Sequence, residues 1–152
     1  RTQLAGEGEV GAGGGPAGDL YVEVAVRPHP TYTRRGDDLH CTVELPMTAA
    51  ALGTVIDLDT FDGPRPLDVR VGTQPGDVVT MRGLGVTHLR GTGRGDLLVH
   101  AAVATPTRLT DEQEQLLRRL ATLRGEERPV GRLAEEDDKG LLGKLRDAFK
   151  GF

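Results

Sequence analysis

The sequence predicts an all-β protein of short strands, with one short helix and amphipathic helices toward its C-terminal end. Three observations point there. Twenty-two glycines and nine prolines lie among 152 residues, between short Val/Leu runs, a spacing of turn formers that breaks helices and punctuates strands. The runs alternate apolar and polar residues with the period of two that a half-buried strand requires. Aromatics are 3% and hydrophobics 37%, so a core must be built from Val, Leu, Ile and Ala.

Near the start, Gly6, Gly8 and Gly11 spell G-x-G-x-x-G. A dinucleotide site needs a strand before that triplet and a helix after it, so that a helix N-terminus faces phosphate. Gly13-Gly14-Gly15-Pro16 follow instead, so the segment reads as a hairpin loop. Residues 19–26 then alternate, with Leu20, Val22, Val24 and Val26 on one face and Tyr21, Glu23, Ala25 and Arg27 on the other. Further strands are expected over 39–45, 54–60, 67–71, 78–81 and 96–103. Asp62-Gly63-Pro64 and Gln74-Pro75-Gly76 supply turns, the second with the Pro-Gly centre of a type II turn. The alanine-rich stretch 47–52 predicts the short helix.

An internal repeat organises these elements. Gly6 and Gly83, Gly8 and Gly85, Gly18 and Gly95, and Asp19 and Asp96 all stand at one offset, and so do Leu20 and Leu97, Val22 and Val99, and Val26 and Val103. Each copy reads as strand, G-x-G turn, loose loop, Gly-Asp-Leu, strand. The register implies two tandem domains of one fold, each ending in this hairpin, with the first represented by its last hairpin alone. With its earlier neighbours absent, strand 19–26 is expected to borrow a partner from another molecule, or residues 1–18 to be poorly ordered.

Beyond the strands, Thr110 with Gln113 three positions on forms a capping box. Asp111 and Glu112 suit the positive end of a helix dipole. Leu116, Leu120 and Leu123 make a stripe, and Gly125 ends the helix. The polar stretch 126–139 reads as a linker. Residues 140–152 place Leu142, Leu145 and Phe149 at helical spacing.

Several function classes are excluded. A net charge of −4 offers no basic footprint for nucleic acid. Cys41 is the only cysteine, which rules out an internal disulfide or a cysteine-based zinc site. It sits in an apolar alternation, as a small buried hydrophobe. No run approaches a membrane span and no signal peptide is recognisable, so a cytoplasmic protein is expected, without membrane or nucleic-acid partners. His29, His40, His88 and His100 have no ligand spacing, and there is no serine, so no nucleophile comes with a recognisable base. Asp37-Asp38 and Glu135-Glu136 read as solvated surface, and Arg94-Gly95-Asp96 as repeat structure. No enzyme is expected.

The stretch His29-Pro30-Thr31-Tyr32-Thr33-Arg34-Arg35-Gly36-Asp37-Asp38-Leu39 resembles the joint between the two C-terminal β-domains of the DnaJ co-chaperones, with Tyr32 in place of a phenylalanine. The similarity continues through Ala51-Leu52-Gly53, Thr60-Phe61-Asp62-Gly63, Gln74-Pro75-Gly76, Met81-Arg82-Gly83-Leu84-Gly85, Gly95-Asp96-Leu97 and the helix from Leu109. Leu4-Ala5-Gly6-Glu7-Gly8-Glu9, with Pro16-Ala17-Gly18-Asp19-Leu20-Tyr21-Val22, is similar to the end of the first such domain.

The resemblance implies a β-sandwich or barrel-like fold, divided as residues 1–27 (last hairpin of a truncated first domain), 28–107 (second domain), 108–125 (helix), 126–139 (linker) and 140–152 (dimerisation helix). It implies a homodimeric holding chaperone that binds unfolded or partly folded clients and passes them to a DnaK-type chaperone. Extended clients can add a strand to a sheet edge beside apolar pockets, for which Leu39, Val43, Leu45, Ile56 and Leu58 are candidates; the alternative is that all five are core. Leu116, Leu120, Leu123, Leu142, Leu145 and Phe149 are candidates for the dimer contact, and a purely structural dimerisation module is the second reading. The pattern departs from the family at His29-Pro30-Thr31, which is not the His-Pro-Asp of its ATPase-stimulating domain. The family's zinc modules are absent too, so no cofactor is expected here, while a longer parent has room for both.

Overall fold

The computed structural model describes residues 2–6, 8, 10–11 and 15–134. The chain divides into two units, Arg1–Pro30 and Thr31–Phe152. In the first, β1 (Thr2–Leu4) pairs antiparallel with β4 (Leu20–Val22), and β2 (Val10–Gly11) pairs with β3 (Gly15–Ala17). Two expectations are corrected here. The strand expected over 19–26 is only Leu20–Val22, because the register Thr2↔Val22 to Leu4↔Leu20 leaves no described strand opposite Glu23–Val26. Val24 and Val26 are accordingly exposed. The second concerns its partner: β4 pairs with β1 of its own chain rather than with a borrowed strand, while the alternative expectation for residues 1–18 falls partly outside the described residues.

The second unit is a two-layer sandwich. One layer has the order β5-β6-β10-β9, built from β5 (Thr33–Arg35), β6 (Asp38–Pro46), β10 (Leu97–Ala104) and β9 (Val78–Met81). The other is the hairpin of β7 (Thr54–Thr60) and β8 (Gly63–Val69). Alternate residues face inward, as the pleat dictates. Cys41, Leu67, Leu97 and Val99 are buried at the centre, with Leu45, Val69 and Ala101 buried beside them. The core is aliphatic, as the composition requires, and among the described residues no polar or charged residue is buried.

β6 and β10 run parallel, with Leu97↔Leu39 through Ala104↔Pro46 in register. A parallel pair needs a crossover, here made of α1 (Met47–Leu52), the β7–β8 hairpin and β9. β8 begins four residues earlier than the alternation predicts and passes through Pro64 and Pro66. β8 pairs only with β7, and prolines at alternate positions of an edge strand sacrifice no ladder donor. β5 is also additional to the sequence expectation. Its hairpin to β6 turns at Gly36, φ +63°, where the left-handed region favours glycine. The turn at Gln74-Pro75-Gly76 is type II as expected, with Gly76 at φ +86° and Asp77 N donating to Gln74 O at 3.1 Å.

The repeat is a repeat of hydrogen bonds. Gly6 N donates to Asp19 Oδ1 at 3.1 Å and Gly83 N to Asp96 Oδ1 at 2.9 Å. Gly8 N donates to Gly18 O at 2.7 Å and Gly85 N to Gly95 O at 2.8 Å. In both copies the aspartate carboxylate caps the G-x-G turn, and the second glycine closes the hairpin.

Candidate functional site

The helix expected after residue 110 is α2 (Asp111–Arg124). Both halves of its capping box form: Gln113 N donates to Thr110 Oγ1 at 3.2 Å and Thr110 N to Gln113 Oε1 at 2.9 Å. Gly125 ends it in the left-handed conformation. Glu126 N then donates to Ala121 O and Gly125 N to Thr122 O, the pair of bonds that satisfies orphan carbonyls at a helix end. The helix is thus specified locally at both ends.

No residue of α2 is buried. Leu116, Leu120 and Leu123 are 65%, 50% and 68% exposed, although helices of globular proteins normally cover such a stripe. Beside its first half lies a cleft of about 570 Å³, lined by Pro46, Met47, Ala104, Leu109 and Leu117 among others, with Leu116 of the stripe at its rim. Glu44 and Arg108 also line it. The cleft joins the C-terminal ends of β6 and β10 to the start of α2. Sequence reasoning missed it, since the proximity of residues 46 and 104 depends on the parallel register.

The five residues read as a peptide strip lie inside the sandwich. Leu45 is 2% exposed, and Leu39, Val43, Ile56 and Leu58 pack against the buried core. Of the six candidates for the dimer contact, Leu116, Leu120 and Leu123 share the exposed stripe of α2. Leu142, Leu145 and Phe149, with the helix expected over 140–152, lie outside the described residues.

Three polar constellations bear on chemistry. On the outer face of the four-stranded sheet, His40 Nδ1 and His100 Nε2 are 2.8 Å apart. Their ring centroids are 5.2 Å apart, about the sum of that contact and two ring radii, so the rings meet edge to edge. Burial, the neighbouring His100 and Arg35 depress the pKa of His40, against a weaker opposing effect of Asp38; burial and Arg35 depress that of His100. His88 Nδ1 lies 2.7 Å from Asp37 Oδ2. Arg94 grips Asp62 through two 2.8 Å bonds and also donates to Gly85 O, tying the loop before β10 to the β7–β8 turn. The Arg94 bonds hold the Asp62 carboxyl below its usual range.

None of these is placed to activate a nucleophile. Cys41 is buried, and burial pushes its thiol up to about 11, which leaves it protonated and unreactive. Among the described residues, no three His, Cys, Asp or Glu side chains are grouped to hold a metal ion. Among the same residues, no helix is long and apolar enough to cross a membrane. The site offers apolar surface for association.

Comparison with known proteins agrees with the architecture. The family described as the DnaJ C terminal domain matches residues 1–106. The chaperone protein DnaJ 2 of Streptomyces avermitilis is 62% identical over 151 residues, 99% of this chain and 40% of that protein. That of Streptomyces coelicolor is 63% identical over the same shares. The chaperone protein DnaJ 2 of Mycobacterium tuberculosis is 49% identical over 152 residues, again 99% and 40%. The chain spans about 40% of the length of the curated relatives it matches. With an all-β sandwich, a capped terminal helix and this match over most of its length, the chain belongs to the DnaJ chaperone family, whose C-terminal domain it carries.

Proposed function

We propose that this chain is the dimerising and client-holding part of a DnaJ-type co-chaperone, acting in the cytoplasm and delivering unfolded polypeptide to a DnaK-type partner through a domain outside these residues. The observation that carries the reading is the leucine stripe of α2, whose three side chains the chain's own sandwich leaves half or more exposed. Burying the exposed part of each leucine is worth about 1–2 kcal/mol. Six leucines across a two-fold axis therefore supply about 6–12 kcal/mol, against about 4–15 kcal/mol lost on association. The helix alone is marginal, so Leu142, Leu145 and Phe149 belong to the same contact.

Client binding uses the apolar cleft between β6, β10 and α2 together with open sheet edges, where an extended segment adds a strand. Leu39, Val43, Leu45, Ile56 and Leu58 serve it as the packed layer beneath. Neither cofactor nor catalytic step enters this function. The test is suppression of aggregation of an unfolded client by the chain, by a Met47→Glu/Ala104→Glu variant and by a version ending at residue 139, each also weighed by sedimentation. The reading expects the first variant to stay dimeric with reduced suppression, and the shortened version to become monomeric. No suppression by the unaltered dimer would leave only the dimerisation role.

A further inference from the structure

Charge is distributed unevenly along α2. Its first half carries Asp111, Glu112 and Glu114, and its second half Arg118, Arg119 and Arg124. Two of the arginines are engaged within the chain, Arg118 with Glu114 and Arg124 with Glu126. Glu112 and Arg119 have no ion-pair partner among the described residues. They stand seven residues apart, hence on the same side of the helix, along one flank of the Leu116–Leu120–Leu123 stripe.

From this we infer that the second copy lies antiparallel along α2, with Glu112 of each protomer against Arg119 of the other and Leu116 next to the two-fold axis. The inference rests on the dimer reading above. In an antiparallel pair the same flank of each helix faces its copy, so a flank bearing one acid and one base is complementary to itself. The axis that joins Glu112 to Arg119 falls between residues 115 and 116, which brings the two Leu116 side chains together. A parallel pair would instead set the acidic first turns side by side and align the two helix dipoles. The antiparallel pair opposes the dipoles and repeats the Glu112–Arg119 contact twice, as two-fold symmetry demands.

The test is a charge swap read by sedimentation equilibrium on the full chain. Glu112→Arg turns both contacts into repulsions and loosens the dimer about tenfold, the scale set by two exposed pairs of up to about 1 kcal/mol each. Glu112→Arg combined with Arg119→Glu restores the original constant. Orientation is measured independently by spin labels at Thr122→Cys in a Cys41→Ala background. The labelled sites are then offset by about 13 residues, or about 20 Å along the axis, whereas a parallel pair brings them within about 10 Å. If the swap fails to restore affinity, or the labels report the short distance, the antiparallel register is wrong while the dimer stands. If the unaltered chain is monomeric at every concentration, the dimer reading fails as well.

Discussion

Among the described glycines, Gly95 leaves the least room for a Cβ. A Cβ built on Gly95 falls 2.0 Å from the Asp37 carbonyl oxygen, 2.5 Å from its carbon and 2.8 Å from Asp38 Oδ1. Two of these atoms are backbone, so no side chain can rotate to make room, and the loop must move. Five hydrogen bonds converge there: Gly95 N to Val86 O, Gly85 N to Gly95 O, Val86 N to Asp37 O, Leu39 N to Asp96 O and Asp96 N to Asp38 Oδ1, all between 2.7 and 2.9 Å. Losing two or three of them at about 0.5–1.5 kcal/mol each gives about 1–4.5 kcal/mol. With a urea dependence of about 1.5 kcal/mol/M, the unfolding midpoint of Gly95→Ala falls by about 0.7–3 M. The control is Gly36→Ala, whose φ of +63° is unfavourable for alanine but whose Cβ meets nothing within 4 Å; it costs about 1 kcal/mol. Equal midpoints for the two variants would refute the steric argument.

Three further outcomes follow from the same structure. Thr110→Ala removes the acceptor for Gln113 N and costs about 1 kcal/mol of helix stability, visible as reduced helical signal in circular dichroism with the sandwich transition unchanged. The His40–His100 pair makes stability rise with pH: both pKa values are depressed in the folded state, so below about 6.5, the unfolded value, the unfolded chain binds more protons. This contribution is complete above that pH and is lost as pH falls toward the folded values. Unfolding curves from pH 7 to 5 should therefore be flatter for His40→Asn/His100→Asn than for the parent. Cys41, with its thiol at about 11, should react with a thiol reagent at pH 8 only as fast as the protein opens, and at once in denaturant; rapid labelling of the native chain would contradict its burial.

Local chemistry was legible in the sequence and long-range pairing was not. The type II turn at Gln74–Asp77, the capping box at Thr110 and the strand Thr54–Thr60 each follow from residues within a few positions of one another. The repeat announced a common hairpin because its Gly-Asp-Leu and G-x-G ends hydrogen-bond to each other over 13 residues or fewer. By contrast, the parallel register that sets His40 beside His100 and Pro46 opposite Ala104 arises from a crossover of about 50 residues, and nothing in either segment's period encodes it. That register also decides the fate of the apolar strip. Alternation identified one face of β6 and one of β7 as apolar, but whether those faces meet each other or a ligand depends on how the two layers stack. They meet each other. The α2 stripe is the opposite case, equally apolar in the sequence and left half or more exposed by the sandwich.

The association claimed for that stripe is tested most directly by sedimentation equilibrium of the chain against a Leu116→Gln/Leu120→Gln/Leu123→Gln variant. All three leucines are half or more exposed in the isolated chain, so the substitutions leave the sandwich and its unfolding transition unchanged. The parent is expected to be a dimer and the variant a monomer, or a dimer weakened by at least a hundredfold. That factor corresponds to about 2.8 kcal/mol, well within the apolar burial that the leucines lose. A variant that dimerises as tightly as its parent would show that the α2 leucines do not form the contact.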